Sequence, residues 1–356
     1  MSGSIYGKTF TISTFGESHG KAVGVVVDGV TPGIELSEAD IQKDLDRRKP
    51  GQSSVTTPRK ESDTVQIMSG VFEGKTTGTP VMMIVYNEDQ RSKDYGNIKD
   101  LFRPGHADYT YVEKYGIRDY RGSGRASGRE TAGRVAGGAV AKKLLAAKGI
   151  KILASTKNIG GIEAGKYCPE EIENNIVRTA DPDVAPEMID LIHKVVEEQN
   201  SVGGIVECRI SGVPAGIGEP VFDKLDAELA KAALSIGGVK GIEFGAGFEV
   251  AKKTGKEHND EMDSAGFKSN NAGGILGGIS TGNEIVFRIA VKPTSSISQA
   301  QNTIDINGNE VICETHGRHD PCLCPRIIPV LEAMSAIVII DLIKQNTALH
   351  AYKEKV

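Results

Sequence analysis

Apolar and polar residues alternate in two short runs near the start of the chain, KTFTIST (8–14) and AVGVVVDG (22–29). A period of two predicts strands there. TPVMMIVY (79–86) predicts a buried strand. A helix is predicted after Ser37, ending by Pro50-Gly51. Ser127 and Glu130 have capping-box spacing at the head of a long amphipathic helix, 128–147. Its apolar face runs through Ala132, Val135, Ala136, Ala139, Val140 and Leu144. Further helices fit 169–179, 186–199 and about 326–345; strands fit 204–211, 241–250, 273–280 and 283–292. No low-complexity linker divides the chain. The order lacks regular βαβ alternation, which favours an α+β fold with antiparallel sheets.

Three segments of the first half resemble three of the second, in the same order. DGVTPGI (28–34) matches SGVPAGI (211–217), each before a predicted helix, and GKTTGTPVMMIV (74–85) matches GISTGNEIVFRI (278–289). Gly124-Arg125 and Gly317-Arg318 each precede a long helix. The pattern suggests an internal duplication, with residues about 1–150 and about 200–350 folding alike about a pseudo-two-fold axis.

Composition narrows the function. Hydrophobic residues are 39% and charged residues 25%, enough for a core and ordinary for a soluble protein. A net charge of −5 and few aromatics, none of them Trp, argue against a nucleic-acid binder. The 43 glycines, about 12% against a usual ~7%, suggest tight turns and close backbone approaches, as around a flat or phosphorylated ligand. The five cysteines cannot all pair within one chain, no secretory signal is legible at the start, and no apolar run reaches ~18 residues. A reduced, cytoplasmic protein without a membrane span is expected.

Arginine marks the candidate chemistry. RRKPGQSSVTTPRK (47–60) holds five basic residues and no acidic one, and Arg118, Arg121, Arg125, Arg129 and Arg134 fall within 17 residues. Arginine's planar fork grips phosphate or carboxylate, and Arg125 precedes a predicted helix N-terminus, itself favourable to anions. Arg129 and Arg134 could equally lie on a solvated helix face. His19 in GESHG and His106 in RPGHAD follow glycine turns and could supply acid–base chemistry or be merely structural. KPTSSIS (292–298) could hold a phosphate or be a plain polar loop. Cys313, His316, His319, Cys322 and Cys324 suit zinc by type, but lack a C-x₂-C knuckle; the rival is a catalytic loop in which Arg318, His319 and Asp320 face a ligand. The near-matches to nucleotide loops fail: GSGRASG (122–128) is one residue off the dinucleotide spacing. A phosphometabolite-binding module and a metal-binding structural protein therefore compete with an enzyme.

Three long stretches, GESHGKAVGVVVDGVTPG (16–33), YRGSGRASGRETAGRVAGGAVA (120–141) and GRHDPCLCPRIIPVLEAM (317–334), resemble the chorismate synthase family. DLDRRKPGQ (44–52), FRPGHADYTY (102–111), GVPAGIGEPVFDKLDA (212–227), NAGGILGGIS (271–280) and KPTSSI (292–297) extend the resemblance over nearly the whole chain. It implies one domain over residues 1–356, a β-α-β sandwich of antiparallel sheets around a helical layer, assembled as a homotetramer. The apolar segment AIVIIDLI (336–343) is expected at that tetramer's interface.

The implied reaction is a 1,4-anti elimination of phosphate from 5-enolpyruvylshikimate 3-phosphate, giving chorismate, with reduced FMN required but no net redox change. Some relatives reduce the flavin with NADPH. No added reductase domain is legible here, so an outside reductant is expected. By resemblance, His19 protonates the departing phosphate, His106 stabilises the reduced flavin, Asp320 helps deprotonate flavin N5, and Ser18 and Ser127 support proton relay. Arg48, Arg125, Arg134 and Arg318 grip phosphate and carboxylates. Flavin contacts come from Arg125, Ala126, Ser127, Gly237, Gly238, Gly277, Lys292, Pro293, Thr294, Ser295, Ser296 and Arg318. No metal is implied, which retires the zinc reading. Ser54 stands where many members carry Arg, Ala126 where serine is common, and Gly237-Gly238 where bulkier residues occur.

Overall fold

The computed structural model describes residues 3–57, 59, 61–88, 96, 98–315 and 319–350. Two five-stranded antiparallel sheets enclose a layer of helices. The first contains β1 (Ile5–Tyr6), β2 (Thr11–Gly16), β3 (Ala22–Asp28), β4 (Val65–Ile67) and β5 (Val81–Tyr86), in the order β1-β2-β3-β5-β4. The second contains β6 (Lys151–Ile159), β7 (Ile162–Glu163), β8 (Gly204–Ser211), β9 (Val239–Phe244) and β10 (Ile285–Val291), in the order β9-β10-β8-β6-β7. The longer helices are α1 (Glu38–Arg48), α2 (Asp108–Tyr115), α3 (Thr131–Ala146), α4 (Ala185–Glu197), α5 (Leu225–Leu234) and α6 (Cys324–His350). Helix α3 packs on β2, β3 and β5, α6 packs on β6 and β8, and the two helices pack on each other.

The two sheets share one connectivity. β2-β3-β5-β4 in the first corresponds to β6-β8-β10-β9 in the second. Each set has a helix between its second and third strands in chain order, α1 or α5, and a long helix after its fourth, α3 or α6. The second set begins at β6, near residue 151 rather than near 200.

Alternation explains the strand faces. Val23, Val25 and Val27 of β3 are fully buried, and Val25 is paired with Met83 of β5. Glycine lets α3 lie close on both sides. A Cβ on Gly133 would come within 2.6 Å of the Gly24 carbonyl, and one on Gly138 within 2.3 Å of the Ala333 Cβ. Part of the glycine excess therefore serves helix packing rather than a ligand.

Several sequence expectations change. Strand β6, KILASTKNI, went unpredicted because its inward positions include Ala154 and Thr156, which give a weak hydrophobic rhythm. The expected helix 169–179 is a single 3-10 turn over Pro169–Glu171. The Asn175 amide donates to the Glu171 and Thr179 carbonyls, and Arg178 adopts φ 53°, so side chain and backbone both turn the chain out of a helix. The strand expected over 241–250 stops at Phe244, before left-handed Gly245 and Gly247. The one expected over 273–280 is a small hairpin, Ile275–Leu276 with Ile279–Ser280. The segment 336–343, expected at an interface, is buried inside this chain as part of α6.

Candidate active site

A cleft of about 920 Å³ opens where the C-terminus of α1 and the heads of α3 and α6 converge. Loops 103–107, 122–130, 235–240 and 292–296 complete its wall. The lining is strongly cationic: Arg48, Arg59, Arg103, Arg125, Arg129, Arg134, Lys240, Lys292 and Arg326 face only Glu130 and Asp320 among the described lining residues. Such a surface inside an acidic chain selects an anionic ligand.

The most buried charges form a triad. Asp63, at 0% exposure, accepts from Arg48 Nη1 at 3.2 Å and from Arg129 Nη1. Its backbone is left-handed, φ 51°. Burial pushes the Arg48 guanidinium down to about 9, Asp63 opposes that fall, and Arg326 and Arg129 add to it. Among the described residues, Arg48 Nε finds no hydrogen-bond partner. Two further buried atoms of lining residues are orphaned in the same way, His319 Nε2 and Thr294 Oγ1. Orphaned donors and acceptors in a cationic cleft fit a phosphorylated, oxygen-rich ligand or cofactor.

His106 sits in a dense network. Its Nδ1 lies 3.1 Å from Asp108 Oδ1, and its Nε2 lies 3.2 Å from Ser123 Oγ. Arg103 donates from Nε to Asp108 Oδ2 at 2.7 Å and from Nη2 to Asp108 Oδ1 at 2.8 Å. Burial pushes the His106 imidazole below its usual range against the pull of Asp108. Burial also pushes the Asp108 carboxyl up, but hydrogen bonds from Arg103 and His106 outweigh it and hold that carboxyl well below the usual range. His319 is driven down to about 4, by burial first and then by Arg103. Asp320 accepts from the Thr57 N–H at 2.9 Å and from Arg326 Nη1 at 2.5 Å, so both its oxygens are engaged.

Most expected site residues meet here. Ser18, Arg48, His106, Arg125, Ala126, Ser127, Arg134, Gly237, Gly238, the loop 292–296 and Asp320 all line the cleft. Ser127 Oγ accepts the Arg129 N–H at 3.3 Å, which caps the turn leading into α3. The reciprocal half of the expected capping box is replaced by a Glu130–Arg134 ion pair at 2.9 Å. Lys292 Nζ donates to the Gly105 carbonyl at 2.6 Å and ties the 292–296 loop to the His106 loop.

His19 departs from expectation. It is buried and is not among the cleft-lining residues, although Ser18 is. Left-handed Gly122 closes over its ring: a Cβ there would fall 2.3 Å from His19 Cδ2 and 3.0 Å from Ser18 Oγ. Gly277 is exposed at the turn of the 275–280 hairpin and also lies outside the lining. Arg318 falls outside the described residues. Ser54 is exposed and bonds His193 Nε2 at 3.1 Å instead of facing the cleft.

Sequence reading left Arg129 undecided, singled out Arg59 only as part of the basic run 47–60, and did not select Arg103, Ser123, Lys240 or Arg326. Arg326 had a legible signal, since it lies in the first turn of α6 six residues from Asp320. For Arg129 the partner, Asp63, is 66 residues away and no local pattern points to it.

A family model described as chorismate synthase matches residues 10–343. A chorismate synthase of Methanosarcina mazei is 56% identical over 350 residues, covering 96% of each chain. One from Nitrosospira multiformis is 55% identical over 352 residues, covering 99% of this chain and 90% of the relative. A crystal structure of chorismate synthase superposes with a TM-score of 0.77 at 32% identity, covering 96% of this chain and 93% of that one.

Proposed function

The chain belongs to the chorismate synthase family of lyases, and from that premise we propose that it eliminates phosphate from 5-enolpyruvylshikimate 3-phosphate to give chorismate. The observation that carries this reading is the cationic cleft with its orphaned Arg48, His319 and Thr294 atoms, which suits a substrate bearing phosphate and carboxylates. Reduced FMN, when bound, supplies electron density to the substrate as phosphate leaves and is restored by the end of the turnover.

This chain's residues divide the work. Arg48, Arg129, Arg134 and Arg326 bind and orient the substrate's anionic groups. Arg125, Ala126, Ser127, Gly237, Gly238 and the loop 292–296 hold the flavin. His19 supplies the proton for the departing phosphate through the Ser18 hydroxyl; ring and hydroxyl flank the same point beside Gly122, which supports that route. His106 would hold a proton beside the bound flavin, and the Asp320 carboxylate would serve as a proton acceptor there. The reductant comes from outside the chain.

In the same reading the chain is one cytoplasmic domain whose halves are related by a pseudo-two-fold axis, supported by the shared strand connectivity. It assembles as a homotetramer. With 336–343 internal, exposed Phe222 and Phe248 supply apolar surface for contacts between copies. The deciding experiment is an anaerobic assay with 5-enolpyruvylshikimate 3-phosphate and dithionite-reduced FMN. Chorismate and phosphate should appear in equal amounts; binding of both ligands without turnover would reduce the protein to a binding module.

A further inference from the structure

Ser123 is a non-glycine residue in the left-handed region, φ 70°, within the segment that leads into α3. Its side chain makes two contacts: Arg103 Nη2 donates to its Oγ at 2.6 Å, and that Oγ lies 3.2 Å from His106 Nε2. It lines both the main cleft and an adjoining cavity of about 400 Å³, and His106 does the same.

Counting hydrogens bears on who donates. Arg103 Nη2 carries two. One goes to Asp108 Oδ1 at 2.8 Å and the other to Ser123 Oγ at 2.6 Å, so His106 Nδ1, also in hydrogen-bonding geometry at 3.2 Å, can take only a shared one. A carboxylate only accepts, so the 3.1 Å approach of Asp108 Oδ1 favours a hydrogen on Nδ1. Nε2 of the neutral ring is then a lone pair, and the hydroxyl beside it must donate. The positive Arg103 on the far side of Ser123 Oγ favours that direction.

We propose that Ser123 is a positioning residue for His106: its hydroxyl, oriented by Arg103, donates to Nε2 and holds the imidazole in its Nδ1–H tautomer. Protonating the ring then requires Ser123 to turn its hydrogen away from Nε2. The other charged groups around this ring are Asp108 on α2, Arg103, Lys292 after β10, His319 before α6, and Arg118, which lies 2.8 Å from Asp108 Oδ1. The geometry stands without a ligand; only its consequence for turnover rests on the function proposed above.

The test uses ¹⁵N-histidine-labelled full-length protein without ligand, with His106→Gln to identify the His106 signals. At pH 8 the ring should show protonated Nδ1 and unprotonated Nε2. In Ser123→Gly the fold should be kept, because glycine suits φ 70°, and the His106 titration should move up by about 0.5–1 pH unit, the size of one hydrogen bond to the neutral form. Ser123→Ala should give the same shift while retaining the backbone strain. A wild-type ring protonated at Nε2, an unmoved titration in Ser123→Gly, or a shift in the alanine variant alone would overturn the proposal. Absence of turnover by the wild type would instead sink the proposed function and leave this test intact.

Discussion

Arg48 and Asp63 pair at 3.2 Å in the cleft wall, with Arg48 only 2% exposed and its Nε unpartnered among the described residues. A buried guanidinium with a vacant donor gains most when an anion arrives. Arg48→Ala is therefore expected to weaken binding of the phosphorylated substrate by about ten- to a hundredfold, as charge-assisted hydrogen bonds are worth roughly 1.5–3 kcal/mol. Turnover at saturation should change far less. Affinity measured by titration alongside anaerobic kinetics separates the two; a loss confined to kcat would contradict a ground-state contact.

Asp320→Asn keeps size but removes charge. Both carboxylate oxygens are engaged, so the change also releases Arg326 into the cleft. Turnover should fall, and substrate affinity should shift with it rather than stay intact. Losing the charge-assisted bond should lower stability by about 1–3 kcal/mol. Chemical denaturation and substrate titration check both; normal turnover by a folded variant would remove Asp320 from the mechanism.

Gly122→Ala tests where His19 sits. The new Cβ would overlap the His19 ring, and alanine at φ 63° costs about 1–2 kcal/mol. If His19 serves the reaction from behind Gly122, this variant and His19→Ala should lose activity together. The loss expected for a general acid is roughly 10²–10⁴-fold. A folded Gly122→Ala protein with wild-type kinetics would show that the ring's position is immaterial.

Acid should destabilise the protein before its carboxylates titrate. His319 has a folded value near 4 against 6.5 unfolded, so between these pH values the unfolded chain binds the proton and the folded one does not. Stability therefore rises with pH across that window and is lost as pH falls from about 6.5 to 4, by on the order of 3 kcal/mol from this residue. His106 acts in the same direction. His319→Gln should flatten the slope in urea titrations at pH 4–6.5; an unchanged slope would place the pH dependence elsewhere.

The amino-acid sequence alone determined the elements whose period is strong. Strands β3 and β10 and helices α1 and α3 were legible because their apolar positions repeat along one face, and β5 and α6 because their apolar runs are nearly continuous. It also determined the family, through long motifs, and pointed to an anionic ligand, through arginine set beside glycine. Tertiary structure decided everything that depends on partners far along the chain. Thr57 reaches Asp320 across 263 residues, and Arg129 becomes a buried wall residue only because Asp63 is there to receive it. β6 is a strand because β7 and β8 flank it, not because its own residues insist. The hydrophobic segment 336–343 gave no sign of whether it met another copy or this chain's own sheets. Periodicity records which face of an element is buried; it carries no record of what buries it.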